Sequence, residues 1–372
     1  MKILLLFPPC WHPIMPHLAA PSLTAYLRAK GIQVIQRDLN LELYDEVLSR
    51  HHLTPLVHRL QREERLQKSA PIRSSAQQEL LSWATASGSQ VASQIEQAKE
   101  TIRSSRFYEV AAGLNALLTL TQGLTLASAP YFPSRLHFTG YDSAYPIDAS
   151  AAILAAVHDR QHNLFYDILN RIVIPQIVRE RPDVVGISLT SASQIIAAFT
   201  LAYLIKEAGS RAHITLGGKM ITCWRELLPA RPQLFSLFDS AVIYAGEVPL
   251  LRLLEALDSR KPLSSVPNLI YRHDDKIRRN EVAAPEPVSS LPPPDFHGLP
   301  LRHYLAPEMV LPVSASRGCY WHRCAFCNVG YRESATYEEK RAEVVQQEMS
   351  ALAQEWGARH FFFSDEAVSP RI

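Results

Sequence analysis

Short apolar runs that alternate with helix-like segments constrain the fold of this 372-residue chain more than any other feature. Residues 3–7 are continuously apolar, as in a strand covered on both faces, and residues 21–31 follow with apolar side chains at helical spacing and a glycine stop. The other elements predicted from this alternation are strands at 33–39, 183–189, 212–216 and 240–244, and helices at 193–208 and 249–257. Together they predict a doubly wound α/β domain that binds its ligand beyond the carboxyl ends of a parallel sheet.

A long segment, residues 43–181, interrupts the alternation between the second and third predicted strands. It carries helix-like stretches at 77–101 and 149–157 and is predicted to form a helical insertion or lid. We therefore assign residues 1–258 to the α/β domain, insertion included.

The predicted alternation of strands and helices ends after residue 258. Residues 259–308 are interpreted as a linker, in which strands at 268–271 and 276–279 form a small hairpin and a proline-rich stretch follows as extended chain. A second domain is predicted to begin at residue 309 and to run to residue 372.

Small residues follow three of the predicted strands at their carboxyl ends. Such loops let a large flat ligand lie against the backbone, whose N–H groups can receive polar substituents. Ordinary turn glycines are the alternative interpretation for any one of these loops. The loops in question contain Ser188-Leu189-Thr190, Gly217-Gly218 and Gly246-Glu247.

Three cysteines, Cys319, Cys324 and Cys327, lie within nine residues directly after an apolar run at 309–313. Three clustered thiolates without a fourth indicate an iron–sulfur cluster that keeps one iron open for a ligand. Zinc would need a fourth ligand, for which the chain offers His303, His322 or His360. A plant-type 2Fe–2S site would need a further cysteine downstream, and none follows Cys327. Packing alone does not explain three cysteines at this spacing.

The amino-acid composition limits the class of protein to which these sites can belong. Hydrophobic residues make up 47% of the chain and charged residues 20%, as in ordinary globular proteins, and the formal net charge is +2. This balance does not indicate a nucleic-acid partner, and we identify no signal peptide or membrane span. Five cysteines, with three in one cluster, fit a reducing compartment, so the chain is predicted to be cytoplasmic.

The cysteine segment resembles the radical S-adenosylmethionine superfamily, and the whole chain is similar to its class with an N-terminal cobalamin-binding domain. The resemblance implies that Cys319, Cys324 and Cys327 hold a 4Fe–4S cluster whose open iron binds S-adenosylmethionine. It implies that Phe326 lies near the adenine, and that the methionine amino group is bound after the strand at 360–363. The residues implied there are Ser364, Asp365 and Glu366, for which a plain polar strand end is the alternative.

The cobalamin resemblance covers residues 2–40 and 183–257, and it implies a Rossmann-like fold. The D-x-H-x-x-G motif, whose histidine binds cobalt in some cobalamin proteins, is missing, since the chain reads Asp38-Leu39-Asn40 after the second strand. The resemblance therefore implies cobalamin bound without a histidine on its lower face. The residues implied to cradle the corrin and its nucleotide tail are Ser188, Leu189, Thr190, Gln194, Gly217, Gly218, Gly246 and Glu247.

Two departures from the superfamily pattern stand out. The cysteines are spaced C-x4-C-x2-C, whereas C-x3-C-x2-C is commonest. After Cys319 the sequence offers only a helix at 338–356 and a strand at 360–363, the start of a partial (β/α)6 barrel. We therefore expect an N-terminal fragment of a radical S-adenosylmethionine domain that leaves Phe361, Phe362 and Phe363 uncovered.

These features predict a cobalamin-dependent radical S-adenosylmethionine enzyme, most specifically a C-methyltransferase acting on an unactivated carbon of a natural product or peptide. The alternatives are another radical reaction, such as an oxidative cyclisation, a rearrangement or thioether formation, and a non-catalytic cobalamin-binding module. The predicted partners are the substrate and an electron donor such as flavodoxin or ferredoxin, without nucleic acid or membrane.

Overall fold

The computed structural model describes residues 1–66, 74–321, 323–327 and 337–368. A seven-stranded sheet forms the centre of its first part, in the spatial order β2-β1-β5-β6-β7-β8-β9. The first five are parallel, and the last two are antiparallel. These strands are β1 Lys2–Phe7, β2 Gln33–Asp38, β5 Val184–Ser188, β6 His213–Gly217, β7 Ser240–Val242, β8 Leu269–His273 and β9 Lys276–Arg279.

Both faces of this sheet are buried, because successive side chains of a strand point to opposite faces. On β1, Leu4 and Leu6 enter one hydrophobic cluster, while Ile3 and Leu5 enter another. The chain passes from β1 to β2 on one side and later to β5 on the other, so strand order reverses between β1 and β5. Ligands of open α/β sheets bind at this kind of switch point.

The helices divide between the faces of the sheet and the insertion. The helices that cover the sheet are α1 Ala19–Ala29, α9 Ile195–Glu207, α10 Lys219–Cys223 and α11 Glu247–Asp258. The insertion contains α2 Leu39–Val47, α3 Arg50–Leu66, α4 Ser75–Ile102, α5 Val110–Ser128, α6 Ser150–His158, α7 Leu164–Ile172 and α8 Ile174–Glu180, with a small hairpin of β3 Arg135–His137 and β4 Gly140–Asp142. The strands and helices predicted for this domain agree with these bounds to within two residues.

One helix of the insertion is unusually apolar. Among the described residues, Val110–Tyr131 is the segment long and apolar enough to cross a membrane by length and composition, and 39% of its most apolar 18-residue window is buried. Leu120 and Leu124 pack into the main hydrophobic cluster, whereas Val110 and Leu114 are exposed. A single such helix is weak evidence for a membrane, because core helices of globular proteins pass the same test.

The hairpin after α11 lies in a different place from the one predicted. Sequence patterning assigned it to a linker, but β8 pairs antiparallel with β7 and thereby extends the main sheet. Val266, Leu269 and Tyr271 are buried in the cluster that also contains α1 and α11. The pairing is a contact between distant segments, which local pattern does not reveal.

The cysteine segment belongs to a smaller second part. β10 Val310–Val313 pairs in parallel with β13 His360–Phe363, and α12 Ala342–Trp356 connects them as a βαβ unit. The predicted helix start at residue 338 is wrong by four residues, because Glu338–Glu339 form β12 against β11 Ser316–Arg317. Phe361 and Phe363 pack against a third hydrophobic cluster, so Phe362 alone of the three is largely exposed.

The segment after the hairpin is bound to the α/β domain by specific polar contacts. Arg28 of α1 donates to Asp295 at 2.7 Å, and Gln36 of β2 donates to the Asp295 carbonyl at 2.6 Å. Tyr304 donates its hydroxyl to the Asp38 carboxylate at 2.6 Å. Leu41 of α2 enters the third cluster, so the two parts also share apolar contact.

Asp38 makes stability depend on pH. It caps α2 by accepting from the Leu41 N–H, and burial raises its pKa to about 6 although the bonds from Tyr304 and Leu41 oppose that shift. Because the folded pKa lies above the unfolded one, this group's contribution is present below about pH 4 and is lost as the pH rises through about 6. Asp38→Asn, which cannot ionise, should therefore gain about 2 kcal/mol relative to wild type between pH 4 and pH 7.

Urea unfolding of both proteins at pH 4, 5, 6 and 7 measures this gain. Parallel stability profiles of wild type and Asp38→Asn would show that Asp38 titrates normally in the fold.

Candidate functional site

A cavity of about 770 Å³ opens at the carboxyl ends of the parallel strands. One side is formed by β1, β5, β6 and β7 and the loops after them, and the other by loops beside the cysteine segment. Its volume lies within the range of cofactor and ligand clefts. The cavity spans the strand-order switch, where α/β sheets bind ligands, and it joins the two regions that the sequence singled out.

The first side, which we call the α/β half, contains most of the residues predicted to cradle a corrin. Those that line the cavity are Ser188, Thr190, Gly217, Gly218, Gly246 and Glu247. Leu189 and Gln194 do not line it, because both are fully buried beneath it. Gln194 accepts from the Thr190 and Ser191 N–H groups at 2.7 and 3.0 Å and donates to the Pro8 carbonyl at 2.6 Å. It therefore shapes the loop after β5 and does not face a ligand.

The two adjacent glycines have different physical roles. Gly218 has φ +96°, and a Cβ there would lie 2.3 Å from the Leu189 carbonyl oxygen, so the fold itself requires glycine. Among the described residues, a Cβ at Gly217 would meet the Val242 carbonyl oxygen at 3.8 Å, an ordinary van der Waals distance. The backbone therefore tolerates a side chain at Gly217, and its predicted contact with cobalamin stays a prediction.

His17 is a cavity residue that sequence reasoning missed. Its ring stacks on Phe7 with centroids 4.5 Å apart, and burial, followed by the nearby His12, lowers its pKa to about 4. Nδ1 accepts from the Ala19 N–H at 3.2 Å, so the neutral ring carries its proton on Nε2, which faces Thr190 Oγ1 at 3.3 Å. The absence of a histidine ligand to cobalt stays a prediction.

The second side, which we call the cysteine half, is built around Asp365. Its carboxylate accepts the Ala315 N–H at 3.0 Å, and it also accepts the N–H and the hydroxyl of Ser316. These bonds fix the loop between β10 and the cysteines. Asp365 thus anchors backbone, and its predicted contact with a methionine amino group stays a prediction.

The two residues next to Asp365 have polar side chains at the surface of the cavity. Ser364 and Glu366 line the cavity and are exposed, and Glu366 accepts the Gly318 N–H at 3.3 Å. Lys340 also lines it and makes a buried ion pair with both oxygens of Glu348, at 2.9 and 2.7 Å. Sequence reasoning missed Lys340 because the pairing of β11 with β12, and a hydrogen bond from the Lys340 N–H to the Ala315 carbonyl at 2.8 Å, bring it to the cavity.

The cysteines lie beyond the wall of the cavity. Cys319 follows the wall residue Gly318 and is half-buried, while Cys324 and Cys327 are exposed. Within residues 1–66, 74–321, 323–327 and 337–368, no three His, Cys, Asp or Glu side chains lie close enough to hold a metal ion. The donor set, three thiols in one loop, fits an iron–sulfur cluster chemically, and the ligand assignment stays a prediction.

Two other residues considered at the sequence level have different outcomes. Phe326, predicted to lie near an adenine, is 91% exposed and is not among the residues that line the cavity. His322, considered as a zinc ligand, lies outside the described residues.

Comparison with known proteins identifies relatives of parts of this chain. No family model matches it. Over 191 residues, half of this chain, it is 29% identical to an uncharacterized methyltransferase of Pyrococcus horikoshii, and the match spans 40% of that protein. The aligned stretch is too short to assign the whole chain to a family.

Solved structures show the fold. The chain superposes over 98% of its length on the cobalamin-dependent S-adenosylmethionine radical enzyme OxsB, solved with aqua-cobalamin and S-adenosylmethionine bound, with a TM-score of 0.54 and 14% identity. It covers 34% of that protein. The radical S-adenosylmethionine methyltransferase TsrM of Kitasatospora setae superposes with a TM-score of 0.49. At this identity the OxsB match demonstrates that the mixed α/β fold with its central, largely parallel sheet is shared.

Proposed function

We propose that this chain binds cobalamin, S-adenosylmethionine and a 4Fe–4S cluster, and that it serves a cobalamin-dependent radical methyltransferase. The single observation that carries the proposal is the cavity whose walls combine small-residue loops of the α/β half with the loop that leads into the cysteines. The fold shared with OxsB, which binds cobalamin and S-adenosylmethionine, and the partial match to a methyltransferase support it.

The chain's residues divide the work between the two halves. Gly217 and Gly246 would line the corrin site, and Gln194 and Gly218 hold the loops beneath it. On the cysteine half, Cys319, Cys324 and Cys327 would hold the cluster, and Ser364 and Glu366 would receive the amino group of S-adenosylmethionine. When bound, the cluster supplies an electron to S-adenosylmethionine, and cobalamin carries a methyl group. The protein orients these groups and excludes water.

The substrate that fits this proposal is a natural product or peptide with an unactivated carbon. We include an electron donor such as flavodoxin or ferredoxin in the proposal, because the cluster must be reduced. We also include a cytoplasmic setting, because the cluster must be protected from oxygen.

Methyl-labelled S-adenosylmethionine tests the reaction class without knowledge of the substrate. We expect label from the methyl group in the cobalamin fraction when the anaerobically reconstituted chain is incubated with reductant, because a methyltransferase passes that group through cobalamin. The fraction is separated by chromatography and counted.

A protein prepared without cobalamin is the control for this labelling. Formation of 5′-deoxyadenosine with no label in cobalamin would favour another radical reaction, and neither product would favour a non-catalytic cobalamin-binding module.

A further inference from the structure

The loop that leads into the cysteines is fixed to its surroundings through Gly318. Asp365 and Glu366, at the end of β13, hold Ala315, Ser316 and Gly318 through backbone and hydroxyl bonds. These anchors come from the cysteine half itself. They fix the loop to its own βαβ unit, and they do not relate it to the α/β half.

Arg317 connects this loop to the α/β half. Its guanidinium donates through Nη2 to Glu247 Oε1 at 2.7 Å and through Nη1 to the Glu286 carbonyl at 2.8 Å. Glu247 is in the first turn of α11, at the carboxyl edge of the main sheet, and its side chain is only 10% exposed. The pair thus joins the sheet edge to the residue two positions before the first cysteine.

The second oxygen of Glu247 has no partner among the residues that the structure describes. Oε2 is buried and receives no hydrogen bond from any of them, although Glu247 lines the cavity. A buried carboxylate oxygen without a donor is costly, and a ligand that supplies an N–H or O–H removes that cost. The rim of a corrin carries primary amides, which are donors of this kind.

We propose that Glu247 is a positioning residue that couples the two halves of the cavity. One of its oxygens holds Arg317, and through it the cysteine loop, while the other accepts a hydrogen bond from an amide of cobalamin bound on the α/β half. The inference rests on the proposed function and adds a coupling to it: a ligand that orders Glu247 also orders the loop, and by linkage an ordered loop strengthens ligand binding.

Amide hydrogen exchange of the whole chain tests this coupling, with hydroxocobalamin as the probe. In wild type we expect saturating cobalamin to slow exchange in residues 314–321 about tenfold, since a charge-assisted hydrogen bond is worth that much or more. Glu247→Gln should weaken cobalamin binding about tenfold and abolish the slowing. Arg317→Gln should abolish the slowing and, because the coupling is reciprocal, weaken cobalamin binding by up to about tenfold.

Two further variants separate positioning from general damage. Arg317→Lys keeps a charge for Glu247 and should recover part of the cobalamin-dependent slowing. Arg323→Gln removes an arginine of the same loop that stacks on Trp321, and it should behave as wild type. If Glu247→Gln fails to fold, as judged by circular dichroism, the Arg317 variants decide, because Arg317 is 25% exposed.

The outcomes distinguish this coupling from the proposed function. Equal affinity and equal slowing in wild type, Glu247→Gln and Arg317→Gln would overturn the coupling and leave cobalamin binding intact. Failure of wild type to bind hydroxocobalamin would overturn the proposed function itself.

Discussion

Replacing Cys319, Cys324 and Cys327 together by alanine should abolish the iron–sulfur cluster. After anaerobic reconstitution with iron and sulfide, wild type is expected to hold about four irons per chain, and the triple variant close to none, because the thiolates are the ligands that retain the cluster. Iron and sulfide assays measure the content, and the brown absorption should disappear with it.

Cys223→Ser is the matched control for the triple variant. Cys223 lies at the end of α10 and outside the three-cysteine loop, so its loss should leave the iron content unchanged. A triple variant that retained a full cluster would show that the thiolate assignment is wrong. Zinc in place of iron, with one of the histidines as fourth ligand, would favour the alternative metal.

Replacing Gly217 by leucine should block cobalamin with little effect on folding. Apart from its chain neighbours, a Cβ at this position comes within 4 Å of one atom among the described residues, so the added side chain should project into the cavity and compete with the ligand. Forcing a side chain into filled space costs about 1–3 kcal/mol, so we expect hydroxocobalamin affinity to fall about 10- to 100-fold. Absorbance titration measures the affinity, and thermal unfolding monitors the fold.

Two other substitutions serve as comparisons for Gly217→Leu. Ala208→Leu adds similar bulk at an exposed site after α9, away from the cavity, and should bind cobalamin as wild type does. Gly218→Ala should instead fail to fold normally, because its Cβ would overlap the Leu189 backbone. Unchanged cobalamin affinity in Gly217→Leu would count against placing the corrin on this half of the cavity.

The sequence by itself determined the elements of the α/β domain. The apolar run of β1 and the amphipathic pattern of α11 are local signals, since burial on one or both faces imposes a period on neighbouring residues. The loops that end in Gly217-Gly218 and Gly246-Glu247 follow from the same signals, because the carboxyl ends of parallel strands meet at one edge. The cysteine spacing predicts an iron–sulfur cluster from the sequence alone.

Only the tertiary structure decided how these parts meet. Sequence pattern predicted the β8–β9 hairpin but could not show that it completes the main sheet, because that pairing is set by a distant strand. Asp365 is an acidic strand end in the sequence, and the fold turns it into an anchor for the loop before the cysteines. Glu247 and Arg317 are 70 residues apart, and nothing local to either predicts their ion pair. Such contacts depend on the relative placement of whole elements, and that placement is set by the shared packing of their apolar faces.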